Sequence, residues 1–104
     1  MSWRIKSTEI RLGQNAANAN QGTSAVAIGN NAGSANQGVG AVALGKDAGC
    51  EAQGQHAVAI GFDAAHYNQG ECSIAIGAFA ASTTAAANEQ SASHAITMNA
   101  TGTV

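Results

Sequence analysis

Two cysteines and two histidines form the most suggestive chemical pattern in this chain. The spacing from Cys50 to His66 equals the spacing from His56 to Cys72. Two thiolates and two imidazoles make a tetrahedral zinc donor set, so these four residues are the candidate metal ligands. The order Cys-x5-His followed by His-x5-Cys is no standard zinc motif, and the alternative is ordinary polar packing. Equivalent positions elsewhere in the chain hold small residues: Ser24, Ser34, Gly40 and Ser82.

No set of residues typical of an enzyme stands out. The acidic residues near the histidines, such as Asp63 and Glu71, fall at positions that we expect to be solvated. The Gly-x-Gly at 38–40 is not followed by the Lys-Ser/Thr of a phosphate-binding loop. A disulfide between Cys50 and Cys72 is not expected. The two Cα atoms of a disulfide lie within about 7 Å of each other, and one or more coils are expected to separate these two residues. We therefore predict a protein that is not an enzyme, and no cofactor apart from the zinc alternative.

Charge and hydropathy exclude two further classes of function. The 104 residues carry a net charge of −2, which does not favour binding to a phosphate backbone, so we expect no nucleic-acid partner. No run of about 18 apolar residues occurs, so we expect no membrane insertion. The first residues, 1–6, lack the apolar core of a secretory signal, so none is expected.

An internal repeat organises the chain. The dipeptide Gln-Gly recurs at a constant spacing, at 21–22, 37–38, 53–54 and 69–70, which defines a 16-residue unit. Four units therefore run from 21 to 84. The segment 1–20 is predicted to be an N-terminal cap with a degenerate first unit. The segment 85–104 is predicted to hold an insertion, a degenerate last unit and a C-terminal tail.

Each unit is predicted to form one coil of a solenoid. Numbered from Gln as position 1, the units hold Val, Ile or Leu at positions 6 and 8 and Ala or Ser at positions 5 and 7. This alternation is typical of a β-strand, and Gly at positions 2 and 9 indicates two corners. A second strand would fit at positions 12 to 15. The fold predicted is all-β, a parallel β-solenoid of 16-residue coils. A helix is disfavoured, because each of the frequent glycines would cost about 1 kcal/mol.

The two sides of the first strand receive different predictions. The large residues are predicted to point into the coil and form its core: Val26, Ile28, Val42, Leu44, Val58, Ile60, Ile74 and Ile76. The small residues would then form a flat outer face that packs on another chain, although Ala could merely be tolerated there. Glu9 and Arg11 would pair between chains at its rim. The predicted interface is Glu9, Arg11, Ala25, Ala27, Ala41, Ala43, Ala57, Ala59, Ser73 and Ala75.

The ends of such a solenoid need protection, because open coils present unpaired strand edges. Trp3 and Ile5, among several charged residues, are predicted to form the first cap. The stretch 85–90 is predicted to begin the second. Without working caps, units could stack end to end into a fibre.

The segments 25–29, 41–45, 57–61 and 73–77 share the pattern Ala/Ser-Val/Ile-Ala-Ile/Leu-Gly. They resemble the head repeats of trimeric autotransporter adhesins, the YadA-like heads, and are similar to repeats in phage and large-virus fibre or surface proteins. The resemblance covers roughly residues 8–84, and 90–99 weakly. It implies a left-handed parallel β-roll that assembles as a homotrimer. The 16-residue unit is longer than the usual head repeat, and no stalk or membrane anchor is visible.

These observations predict a structural or attachment module of a fibre, spike or virion surface. Its partners would be further copies of itself, with a glycan or surface receptor as a possible target. Its location would be a virion or extracellular assembly surface, reached by a non-classical route or by intracellular assembly. The alternative is a carbohydrate-binding solenoid that uses Phe62, Tyr67 and Phe79 as platforms. Ice binding is disfavoured, because the threonines form no regular column.

Overall fold

The computed structural model describes residues 8–81 and 94–98, and this part of the chain consists of short strands and turns. Every strand is three residues long. In chain order they are β1 (Ile10–Leu12), β2 (Ala19–Gln21), β3 (Val26–Ile28), β4 (Ala35–Gln37), β5 (Val42–Leu44), β6 (Glu51–Gln53), β7 (Val58–Ile60), β8 (Tyr67–Gln69), β9 (Ile74–Ile76) and β10 (Ile96–Met98). Within these ranges no helix is present that is long and apolar enough to cross a membrane.

The strands form two parallel sheets that alternate along the chain. Sheet A has the order β1-β3-β5-β7-β9-β10, and sheet B has the order β2-β4-β6-β8. From β1 to β9, paired strands are one repeat unit apart, as in the pairing of Val26 with Val42 and of Ile28 with Leu44. Parallel strands one repeat apart are the defining feature of a solenoid, so the predicted fold of 16-residue coils is confirmed.

The second strand of each coil lies further along the unit than predicted. It occupies positions 15, 16 and 1, as in Ala35–Gln37, instead of positions 12 to 15. Positions 11 to 13 form a turn, in which Ala32 N–H donates to Gly29 O at 3.1 Å. Asn31 and Gly33 have φ of +59° and +53° there. These two left-handed residues turn the chain from sheet A toward sheet B.

The prediction of which side of sheet A faces inward was wrong. The alanines at positions 5 and 7, with Ser73, are 0% exposed and lie inside the coil: Ala25, Ala27, Ala41, Ala43, Ala57, Ala59 and Ala75. They are enclosed within one chain and cannot contact a partner. The predicted core residues instead lie on the outer side, half-buried: Val26, Ile28, Val42, Leu44, Val58, Ile60, Ile74 and Ile76.

The physical reason is the close contact between sheet A and the turn at positions 11 to 13. The alanines on both sides of this contact are buried and form one cluster. The interior at this contact therefore accepts methyl groups and little more. The core cluster consists of alanines alone, with those of sheet A facing those of the first turn, such as Ala32, Ala48 and Ala64.

Glutamine supplies the only long side chains of the interior among the described residues. Gln37, Gln53 and Gln69 are 2 to 3% exposed. The Nε2 atom of Gln53 donates to Val42 O at 2.7 Å, across the coil from sheet B to sheet A. Gln37 Nε2 makes the same bond to Val26 O and also donates to Gln53 Oε1 at 3.2 Å. These glutamines are therefore structural, because their hydrogen bonds join sheet B to sheet A.

The glycines of position 9 are required by close approach of neighbouring coils. Gly45 has a φ of +122°, and a Cβ added to it would lie 2.8 Å from Gly61 O. Any other residue would clash with backbone at this corner, so the predicted corner is confirmed here.

The two ends of the chain are only partly described. β1 pairs with β3, and β10 pairs with β9 through Ile96 and Ile74, so both extend sheet A in the common register. The predicted cap residues Trp3 and Ile5 and the predicted insertion at 85–90 lie outside the described residues. The bounds 1–20, 21–84 and 85–104 stay a prediction.

Candidate functional site

The outer side of sheet A is a continuous apolar surface, which we call the apolar face. Its six strands each contribute two large apolar side chains, and at about 4.8 Å between strands it is about 24 Å long. The ends are the most open, since Leu12 is 50% exposed, Ile96 69% and Met98 71%. The twelve members are Ile10, Leu12, Val26, Ile28, Val42, Leu44, Val58, Ile60, Ile74, Ile76, Ile96 and Met98.

The two charged residues predicted at the rim of the interface are not part of this face. Arg11 is in register with Ala27, on the side of sheet A that faces inward, and it is exposed in the first described coil. Glu9 is half-buried, with the Thr8 hydroxyl donating to its carboxylate. The apolar face therefore carries no charged side chain among the described residues.

The four predicted zinc ligands are not brought together. The described residues contain no group of three or more His, Cys, Asp or Glu side chains placed to hold a metal ion. His56 and Cys72 are exposed at position 4, in the corner after sheet B. Cys50 and His66 are half-buried at position 14, before sheet B. A strand of sheet B separates the two positions, so this particular donor set was wrong.

Cys50 and His66, the pair at position 14, each already have a polar neighbour. The Sγ of Cys50, a free thiol, lies 3.5 Å from the Ser34 hydroxyl. Burial is the main influence on this thiol and raises its pKa above the ordinary value. His66 Nδ1 lies 2.7 Å from Asp63 Oδ1. These contacts support the packing interpretation for position 14.

A polar and aromatic cluster occupies the corner between sheets A and B. Asp47 accepts hydrogen bonds from Lys46 Nζ at 2.5 Å and from Asn31 Nδ2 at 3.0 Å. Burial raises the pKa of Asp47, but these two hydrogen bonds and the charge of Lys46 together lower it below its ordinary value. Lys46 Nζ also lies 5.3 Å from the centre of the Phe62 ring. Phe62 and Phe79 meet edge to face, with ring centres 5.2 Å apart.

The register of the repeat assigns the members of the apolar face in the degenerate units as well. Ile10, Leu12, Ile96 and Met98 align with positions 6 and 8, and each is paired in register with a large apolar residue of the neighbouring strand. The inverted assignment of the two sides could not have been corrected from the alternation alone.

Comparison of the chain with protein-family models, curated proteins and solved structures finds no match.

Proposed function

We propose that this chain is a non-enzymatic structural or attachment module that assembles as a homotrimer through its apolar face. The trimer would form part of a fibre, a spike or a virion surface, and this is also where we place the protein. The single observation that supports this function is the apolar face itself. Contiguous exposed apolar surface of this kind is rare on monomers and marks an interaction site.

A further copy of the same chain is the partner that fits this surface best. The face has no charge to repel its own copy, and its side chains are mostly short, branched and held on a regular parallel sheet. Such a surface can pack tightly against an equal one. Each buried methylene would contribute about 0.8 kcal/mol, so twelve partly exposed side chains supply a substantial driving force.

The choice of three copies rests on the resemblance of the units to YadA-like heads, which form trimeric left-handed β-rolls. In a cyclic trimer the three apolar faces would meet around the central axis, and each chain would contact both others. Sheet B and the corners would then face outward. The polar and varied residues at those positions suit a surface that is open to solvent and to targets.

The mass of the protein in solution tests this proposal directly. Light scattering on a size-exclusion column should give three times the 10.2 kDa of one chain. Replacing Val58 with Lys should give a folded monomer, because the ammonium group would be buried in the interface but can reach water in the single chain. A wild-type monomer would contradict the proposed assembly.

Val39→Lys is the matched control for this test. Val39 is 42% exposed, but it lies at position 3, outside the apolar face. The same change of residue there should leave the mass at three chains. If Val39→Lys dissociates the protein while Val58→Lys does not, the interface lies elsewhere on the molecule.

Carbohydrate binding is a second candidate, because Phe62 and Phe79 come together at one corner and Phe62 is 42% exposed. Aromatic rings are the usual platforms for sugar rings. A glycan array compared between the wild type and Phe62→Ala tests this function. A glycan signal that the substitution abolishes would support it, and an array with no signal would remove it.

A further inference from the structure

We propose that Glu9 and Arg11 act as a charged stop at one end of the solenoid and prevent a second copy of the chain from stacking onto it. The contact that they prevent is head to tail. In it, β1 of one copy would pair with β10 of the next and continue sheet A from chain to chain. The proposal concerns growth along the solenoid axis, so it does not depend on the sideways assembly through the apolar face.

The C-terminal end of sheet A keeps the features of an inner coil. β10 is the last described strand of the sheet, and Thr97 is in register with Ala75. Positions 5 and 7 of this coil are Ala95 and Thr97, so the two inward positions hold small, uncharged side chains. Ile96 and Met98 are 69% and 71% exposed, whereas the equivalent residues of the inner coils are half-buried. This end therefore offers a surface on which a further coil can pack.

The backbone of β10 is placed to continue the ladder. In the inner coils the N–H of position 6 donates to the O of position 5 in the following coil. Val58 donates in this way to Ser73 at 2.9 Å, and Ile74 donates to Ala95 at 2.8 Å. Ile96 is the next residue of this series, in the common register. A strand added beyond β10 would therefore meet the same hydrogen-bonding pattern as the strands inside the solenoid.

The N-terminal end departs from the repeat at the same two positions. Arg11 is in register with Ala27, and Glu9 directly precedes the pairing of Ile10 with Val26. These are positions 7 and 5, where each of the four central units has Ala or Ser. Arg11 is exposed, whereas Ala27 is 0% exposed. The first coil therefore carries charge at the two inward positions that are small and uncharged in the central coils.

A second copy stacked on β1 would enclose both charges. The inward positions lie against the alanines of the turn, in a space that accepts methyl groups, so the Arg11 guanidinium would not fit there. Taking a guanidinium and a carboxylate out of water also carries a large desolvation penalty. Inward-pointing charged residues are one of the means by which sheet proteins avoid edge-to-edge association. The separate chain escapes both costs, because its Arg11 is open to solvent.

Removing the two charges from the full-length chain tests the proposal. Glu9→Ala combined with Arg11→Ala gives the first coil the residues of the inner coils, so the fold should be kept. We expect long, unbranched fibres in electron microscopy and a rise in particle mass of at least about tenfold, because a head-to-tail contact along a straight axis does not close. Fibre diffraction should show the spacing of about 4.8 Å between stacked strands. The wild type should form no fibres under the same conditions.

Lys46→Ala combined with Asp47→Ala is the matched control. It also removes one positive and one negative charge, but at a corner outside both end strands, and it should form no fibres. Adding Thr97→Lys to the Glu9→Ala, Arg11→Ala variant should abolish its fibres, since a charge then occupies the inward position of β10. The proposal is overturned if the Glu9→Ala, Arg11→Ala variant forms no fibres or keeps them with Thr97→Lys. Fibres of the control or of the wild type overturn it as well.

Discussion

Sheets A and B are built from the same 16-residue repeat but differ in which side chains recur from coil to coil. In sheet A the middle, inward residue is a fully buried alanine from β3 to β9, and the outward residues are large and apolar in every described coil. In sheet B each strand ends on Gln, which is buried in β4, β6 and β8. The middle residue is Asn in three of the four strands, and the first residue changes from Ala35 to Glu51 to Tyr67. Strand stacking constrains both sheets equally, so it does not explain why only sheet A repeats large apolar residues on its outer side. The proposed assembly through this face would explain it.

The largest expected effect comes from enlarging the interior of sheet A. Ala59 is 0% exposed, in a cluster with the alanines of the turn at positions 11 to 13. Ala59→Leu should destabilise the fold by about 3 kcal/mol, because the added carbon atoms can be accommodated only by moving sheet A away from this turn. Urea unfolding followed by circular dichroism measures the change.

Glu51→Leu is the comparison on sheet B. Glu51 is exposed, so the same new side chain should change the free energy of unfolding by no more than about 0.5 kcal/mol. Equal effects of the two substitutions would show that the two sheets do not differ in how tightly they are packed.

A smaller effect, an increase in the free energy of unfolding, is expected from a substitution at the middle residue of a sheet B strand. This residue has a left-handed backbone in β6, where Ala52 has a φ of +55°. Asn tolerates this conformation better than Ala. Asn20 Nδ2 donates to Asn36 Oδ1 at 2.9 Å in the neighbouring strands, so a new Asn could join that ladder. Ala52→Asn should raise the free energy of unfolding by about 0.5 to 1 kcal/mol.

Ala35→Asn controls for the side chain alone. Ala35 lies in β4 directly before a left-handed residue but is not itself in that region. The control should bring no gain in thermal midpoint. If both substitutions stabilise the protein alike, backbone strain is not the reason.

The smallest effect is expected at the corner that joins the sheets, where the pKa of Asp47 is lowered from 3.8. A carboxyl whose pKa is lower in the folded state stabilises the fold above pH 3.8, and this contribution is lost as the pH falls through the folded-state pKa. It should amount to less than about 1 kcal/mol, because Lys46 is largely exposed and solvent screens the pair.

Asp47→Asn therefore should lower the stability at neutral pH and reduce the loss of stability below pH 3.8. Thermal unfolding across this pH range, at low and high salt, measures both effects. Salt should shrink the difference between the variant and the wild type. An unchanged acid response in Asp47→Asn would contradict the role of this carboxylate.

Much of the fold was predictable because the repeat units of this one chain can be aligned with one another. The spacing of Gln21 and Gln37 predicted the pairing of strands one unit apart, and Gly45 identified a corner where no side chain fits. The candidate site was less predictable. Val58 and Ala59 were correctly placed on opposite sides of one strand, but the larger residue was assumed to be inside.

The sequence by itself determined the 16-residue coil, the strand register and the corners at the repeated glycines, but not the turn at positions 11 to 13. Only the tertiary structure decided which side of sheet A is the interior and which residues share a corner. Alternation with period two describes both sides of a strand equally well. The contact between sheet A and the turn at positions 11 to 13, set by the whole coil, leaves room for the methyl group of Ala59 and none for the side chain of Ile60.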